Sequence, residues 1–168
     1  SMAVNILNEV NREVQSAGWK FNTSWKVSLT RDVNNKLVVG NDVLHIEFDH
    51  LRYSKTSYDP VIRGNFLYNL AKEVYTWEKD FDYVTVIYLL DFESIPEQAR
   101  RYITIRASRI FHDRTLGANA IHKFSSGDEL ASLALLKQTE ADTADHNIFN
   151  SLDQNRVVNR NSRIKYNT

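Results

Sequence analysis

The hydrophobic period changes once within the first 29 residues, and this change limits the chain to folds that join a helix directly to a sheet. Apolar residues at the start step by three or four, which is one stripe of an amphipathic helix: Ala3, Leu7, Val10, Val14 and Ala17. Gly18 then offers the left-handed conformation that commonly ends a helix. We predict a helix over residues 2–17, followed by a sheet.

Three large aromatic side chains follow this helix within the stretch "SAGWKFNTSW", namely Trp19, Phe21 and Trp25. Flat apolar side chains just beyond a helix end are most often core packing at a corner between helix and sheet. We therefore predict that these three residues fix the corner, and that Trp19→Ala costs roughly 3–5 kcal/mol of folding stability.

The middle of the chain alternates apolar and polar residues, which is typical of antiparallel strands. Candidate strands are "WKVSLT" and "KLVVG" around an Asn34-Asn35 turn, then "DVLHIEF" and "DYVTVIYLL". The segment 65–79 also fits a helical face, but its aromatic content and the preceding Arg63-Gly64-Asn65 turn favour a β-hairpin with its turn near Ala71-Lys72.

Two further helices are predicted after residue 94. Ser94, Pro96 and Glu97 form a helix start, and the inward positions of this helix are Ala99, Ile103, Ala107, Ile110 and Phe111, with Gly117 at its end. Ser126 and Glu129 indicate the start of the next helix, about nine residues after Gly117. The apolar period of this helix continues through Leu130, Leu133, Ala134, Lys137 and Ala141. We expect the two helices to pack as a pair.

These elements predict an α+β fold: a helical bundle with a small antiparallel sheet, in a single domain over residues 1–149. Residues 150–168 lose the apolar period and are predicted to form an extended tail that is ordered only when a partner holds it. Its basic residues outnumber Asp153, and they are Arg156, Arg160, Arg163 and Lys165.

Composition excludes several classes of function. The 21 basic and 21 acidic side chains cancel, so no global field draws the protein to nucleic acid or an anionic membrane. There is no cysteine, which excludes disulfides and thiolate metal sites. No apolar run approaches the roughly 20 residues of a membrane span, and no phosphate-binding glycine loop, zinc helix motif or nucleophile elbow occurs. We predict no cofactor.

Clusters of acidic side chains suggest two kinds of site. His45, Glu47 and Asp49 in "HIEFDH" alternate on one predicted strand and could hold a divalent ion, but His50 falls on the other side and a solvated strand face is the simpler interpretation. The pairs Asp80/Asp82 and Asp91/Glu93 could supply the acid and base of a glycan hydrolase, although ordinary turns also contain such residues.

Five arginines crowd the helix after Pro96: Arg100, Arg101, Arg106, Arg109 and Arg114. They spread around the helix, so a subunit contact or a solvated face is favoured over phosphate binding. A nucleic-acid-binding module that uses this helix and the basic tail stays open as an alternative, as does the hydrolase.

Four phrases in order carry a family resemblance: "ILNEVNREVQSAGWKFNT", "VIRGNFLY" with "YTW", "IPEQARRYITIRASRIFHDRTLG", and a Glu-rich helix. Over about residues 5–150 the chain resembles the tail tubular protein A family, the tail adaptors of short-tailed, podovirus-type bacteriophages. Members usually have a further helical stretch ahead of the first phrase.

The resemblance implies a structural, non-enzymatic virion protein. It would form a ring of about twelve copies between the portal and a tail nozzle of the tubular protein B type, with DNA passing through the channel without specific binding, and with tail fibres as possible further partners. By position, Trp19 and Phe21 would lie at the junction of bundle and sheet, Arg100 and Arg101 where subunits meet, and the basic tail along the portal.

Overall fold

A computed structural model describes residues 1–116 and 119–145, and it confirms the α+β class. The described residues contain three α-helices: α1 (Met2–Gln15), α2 (Glu97–Leu116) and α3 (Asn119–Asp145). Five strands lie between α1 and α2: β1 (Thr23–Leu29), β2 (Val43–Glu47), β3 (Pro60–Arg63), β4 (Phe66–Asn69) and β5 (Phe81–Tyr88).

The strands form two antiparallel sheets. Strand β5 is central in the first sheet, between β1 and β2, while β3 and β4 make a two-stranded hairpin. The tight turn of the hairpin contains Gly64 at φ +61°, in agreement with the turn predicted at Arg63-Gly64-Asn65.

The apolar interior is divided into two cores. The helical core contains Ile6, Val10 and Val14 of α1, Ala99, Tyr102, Ile103 and Ala107 of α2, Leu136 of α3, and Ile95. The β core is built from the inward side chains of both sheets and the loops between them: Leu37, Val39, Ile46, Phe48, Leu67, Trp77, Phe81, Val84 and Val86. The protein is therefore a three-helix bundle joined to a small β module.

Helix α1 agrees with the predicted helix but ends two residues earlier, at Gln15. Ala3 and Ala17 of the predicted stripe are exposed, because the buried stripe runs through Ile6, Val10 and Val14 and continues onto the amides Asn11 and Gln15.

Helix α2 begins at Glu97, after a single 3-10 turn at Phe92–Ser94, and its predicted inward positions are confirmed. The predicted start of α3 at Ser126 is wrong, because the helix begins at Asn119 and Ser126 lies inside it. Among the described side chains of α3, Ser132 and Leu136 are buried, whereas Leu130 is 70% exposed. Gly117, the predicted end of α2, lies outside the described residues.

One strand prediction is wrong, and a second is confirmed only around its turn. The segment "KLVVG" forms isolated bridges instead of a strand, Lys36 with Thr76 and Val38 with Phe66. The predicted hairpin of residues 65–79 closes, since the backbones of Asn69 and Val74 exchange hydrogen bonds of 2.8 and 3.3 Å. Its ladder stops at that bridge, because β4 pairs along its length with β3, a strand that the sequence analysis did not identify.

Candidate functional site

The joint between the helical bundle and the β module is held by a close backbone approach and by buried hydrogen bonds. Gly18 lies at its start with φ +75°, and its N–H donates to the Gln15 carbonyl over 3.1 Å. A Cβ atom at this position would lie 2.6 Å from Cδ1 of Ile87 in β5. Both the backbone angle and the close approach of α1 to the sheet therefore favour glycine here.

Trp19 and Phe21 pack in this joint, as predicted. Their rings stack with centroids 6.5 Å apart and planes within 4°, and both are partly buried against the helical core. The Trp19 indole Nε1 donates to the Val14 carbonyl over 2.7 Å. This bond satisfies a carbonyl in the last turn of α1, so Trp19 both closes the helix and covers its core.

The prediction that Trp25 packs in the corner is wrong, because its side chain is 55% exposed. The pairing of β1 with β5 is irregular between Ser24 and Val27. Such a bulge adds an unpaired residue and turns a side chain away from its expected face.

Buried amides connect α1 to the end of β5, a feature that the sequence analysis did not identify. The Gln15 side chain is fully buried: its Nε2 donates to the Leu90 carbonyl over 2.8 Å, and its Oε1 accepts from the Leu90 N–H over 2.8 Å. Gln15 Nε2 also donates to Asn11 Oδ1 over 2.9 Å. One side chain thus binds both backbone groups of Leu90 and fixes the distance between α1 and the chain after β5.

Asn22 completes the connection from the other side. Its Nδ2 donates to the Gln15 carbonyl over 2.9 Å and to the Tyr88 carbonyl over 2.8 Å, while its Oδ1 accepts from the Trp19 N–H over 2.8 Å. All of these groups are buried or partly buried, where an unpaired amide is costly. The network therefore specifies the angle between bundle and sheet more sharply than apolar contact alone.

Ion pairs also join the three helices to one another. Arg106 of α2 binds Glu13 of α1 over 2.7 Å and Glu129 of α3 over 2.8 Å. Arg109 also binds Glu129 and, over 3.2 Å, Asp113. Burial of Glu129 raises its pKa, but the hydrogen bonds from Arg109 and Arg106 outweigh it, so the pKa of Glu129 lies below its ordinary value. The two arginines hold helices together, which agrees with the preference against phosphate binding.

Arg100 and Arg101 differ in their surroundings. Arg100 pairs with Glu97 over 2.6 Å and Glu93 over 3.5 Å in the same chain. Arg101 is exposed, and within the described chain its side chain makes no hydrogen bond or ion pair. Both line an open cavity of about 420 Å³ beside Phe92 and Thr104.

Two of the carboxylates that could bind a metal or catalyse hydrolysis, Asp49 and Asp80, serve local structure. Asp49 accepts from the Leu51 N–H over 2.9 Å in a turn, and no group of three metal-binding side chains occurs in residues 1–116 and 119–145 as far as they are described. Asp80 binds the Arg31 N–H and guanidinium, and these bonds lower its pKa. Asp91 and Glu93 are exposed, Asp91 just before the 3-10 turn Phe92–Ser94 and Glu93 within it.

Two remaining predictions concern the tail and membranes. The basic residues Arg156, Arg160, Arg163 and Lys165 lie outside the described residues. Among the described helices, none is long and apolar enough to span a membrane.

The fold and its joint define the class: an α+β protein in which a three-helix bundle is fixed to a small β module by buried amides. The model of the tail tubular protein family matches residues 1–146, and the chain belongs to this family. It is accordingly a structural protein of a phage tail, as the resemblance implied. A search of curated proteins found no match to this sequence.

Proposed function

We propose that this protein is the tail adaptor that forms a ring between the portal and the tail nozzle, at the neck of the virion. The observation that carries the proposal is the family match over residues 1–146. In the proposed assembly about twelve copies surround a channel through which DNA passes without specific binding. The ring forms in the host cytoplasm, and we propose tail fibres as further partners.

The outward face of α3 supports a contact between subunits. Leu130 and Leu135 are 70% and 44% exposed, and the same outward face carries the exposed small residues Ala131, Ala134 and Ala141. Small side chains allow a neighbouring helix to approach closely, and the leucines add apolar area. We propose that this face meets the next subunit of the ring.

The joint supports the same proposal in a different way. A ring subunit must present its bundle to its neighbours and its β module to the tail at a constant angle. The bonds of Gln15 and Asn22 to Leu90 and Tyr88 fix that angle. We propose further that Arg101, which has no ion pair within the described residues, binds a carboxylate of the neighbouring subunit, and that the basic tail reaches along the portal.

Reconstitution tests the ring. The protein is mixed with the portal of the same phage, and the mass of the complex is measured by native mass spectrometry. We expect about twelve added copies per portal, and loss of the added copies with Leu130→Glu. Val33→Glu is the matched control, because Val33 is 97% exposed in a turn of the β module. A wild-type protein that stays monomeric beside its portal contradicts the ring.

We also propose that the protein is not an enzyme. Asp91 and Glu93 are exposed, and Glu93 is paired with Arg100, so neither has the enclosed surroundings that tune a catalytic carboxyl group. Incubation with host-envelope polysaccharide should release no sugar. Sugar release that Asp91→Asn abolishes would show the hydrolase alternative to be right.

A further inference from the structure

We propose that the outer face of the β3–β4 hairpin binds an acidic, extended segment of another protein. This hairpin face is defined by the side chains that alternate outward from β3, β4 and the adjacent chain, together with Tyr75: Lys36, Val38, Val61, Arg63, Phe66, Tyr68 and Tyr75. Their inward neighbours Leu37, Val39 and Leu67 are buried in the β core. The inference goes beyond the ring, because none of these residues lies in the helical bundle.

Apolar area on the hairpin face is exposed and continuous. Val38 is 58% exposed, Val61 36% and Tyr75 40%. Val38 is bridged to Phe66, and Val61 is paired with Tyr68. The rings of Tyr68 and Tyr75 contact each other edge to face, with centroids 4.9 Å apart. An exposed apolar patch of this kind is typical of an interaction surface.

Two cations are held on the aromatic rings of the same face. The Arg63 guanidinium carbon lies 3.7 Å from the centroid of the Tyr68 ring, and Lys36 Nζ lies 5.1 Å from that of Phe66. Neither forms an ion pair within the part of the chain that the structure describes. A guanidinium stacked on a ring keeps its N–H donors free in its own plane. Because the ring already restricts the side chain, less entropy is lost when a carboxylate binds.

The arrangement fits a protein segment better than nucleic acid. Outward positions on one strand recur about every 7 Å, so Arg63 and Val61 match an extended peptide in which acidic and aliphatic residues alternate. Affinity for nucleic acid grows with the number of neutralised phosphates, and the hairpin face offers two cations. Val38 and Val61 also require apolar partners, which a phosphate backbone lacks.

Selection from a displayed library of random dodecapeptides on the full-length protein tests this inference. We expect the bound peptides to be enriched in Asp and Glu over the unselected library. Binding of each peptide is then measured by fluorescence anisotropy, and Arg63→Glu should weaken it at least about tenfold. Lys26→Glu is the matched control, since Lys26 is exposed on β1, and it should leave the affinity unchanged.

Several outcomes would overturn the inference: selected peptides without acidic enrichment, equal affinity for Arg63→Glu and Lys26→Glu, or single-stranded DNA that binds through Arg63 more tightly than any selected peptide. Self-association in sedimentation that Arg63→Glu abolishes would assign the hairpin face to a second copy of this chain instead. Assembly of Arg63→Glu on the portal is measured in parallel, and it should be retained, so failure here is distinguishable from failure of the ring.

Discussion

Gln15 is the residue on which the connection between α1 and the end of β5 most depends. Replacing it by methionine keeps the volume but leaves the N–H and carbonyl of Leu90 without the partners they have now. We expect Gln15→Met to lower the free energy of unfolding by about 2–4 kcal/mol, measured by urea denaturation. Gln138→Met, on the exposed surface of α3, should change it by less than about 0.5 kcal/mol. Equal changes in the free energy of unfolding for the two variants would show that the hydrogen bonds of Gln15 do not stabilise the fold.

Trp19 contributes through ring stacking and through its bond to the Val14 carbonyl. Because Trp19 is only partly buried, we expect Trp19→Ala to cost about 3 kcal/mol, the lower end of the range for such substitutions. Trp25→Ala, at a side chain that is 55% exposed, should cost less than about 0.5 kcal/mol. Denaturation curves of the two variants that coincide would contradict the different roles assigned to these tryptophans.

The position of an individual side chain was predictable where the neighbouring sequence determines it. Trp19 and Phe21 follow a helix end directly, so chain geometry brings them to the corner. Trp25 could not be placed, because the bulge at Ser24–Val27 depends on the pairing with β5. The burial of Gln15 and Asn22 could not be predicted, because in the sequence they look like ordinary solvent-exposed polar residues. The backbone groups they bind lie far along the chain, at Leu90 and Tyr88.

At the scale of elements, the connection between α1 and the first sheet depends on Gly18. Gly18 and Gly64 both have positive φ, but a Cβ would meet Ile87 only at Gly18 and nothing within 4 Å at Gly64. We expect Gly64→Ala to cost about 1 kcal/mol from backbone strain and Gly18→Ala about 2 kcal/mol. Ile87→Val removes the clashing atom, so the extra cost of Gly18→Ala should largely disappear in that background. An unchanged cost there would contradict the steric explanation.

The attachment of α3 to α2 depends on Glu129. Its pKa is lowered in the folded protein, so the stability it contributes is present above the ordinary value of 4.5 and is lost as pH falls through the folded pKa. We expect Glu129→Gln to cost about 2 kcal/mol at pH 7, and the difference from wild type to shrink in acid. Glu97→Gln breaks an exposed pair and should cost a few tenths of a kcal/mol. A loss of stability in Glu129→Gln that is the same at every pH would contradict this role of the carboxylate.

Elements with a strong local period were predictable, and those that depend on tertiary pairing were not. The helix α1, the inward face of α2 and the strand β5 follow from sequence, although Ala3 and Ala17 of the predicted α1 stripe are exposed. The start of α3 was missed because Ser126 and Glu129 imitate a helix start, whereas the Glu129 side chain binds Arg106 and Arg109. Strand β3 was missed because its four residues are too few to show a period.

For the whole molecule, balanced charge and the proposed channel role predict weak binding to DNA. Only local groups attract phosphate when 21 basic and 21 acidic residues cancel, and the described arginines at the helix interfaces are already paired with carboxylates. In electrophoretic mobility shifts at low salt we expect no complex with duplex DNA. A complex whose affinity falls steeply with added salt would favour the nucleic-acid-binding alternative.

The measurement that tests the adaptor proposal most directly is a cryo-electron microscopy reconstruction of the virion neck. We predict a ring of about twelve copies between portal and nozzle, in which the outward face of α3, with Leu130 and Leu135, contacts the neighbouring subunit. Density for the three-helix bundle and its β module elsewhere in the virion, or a neck ring built from another protein, would contradict the proposal.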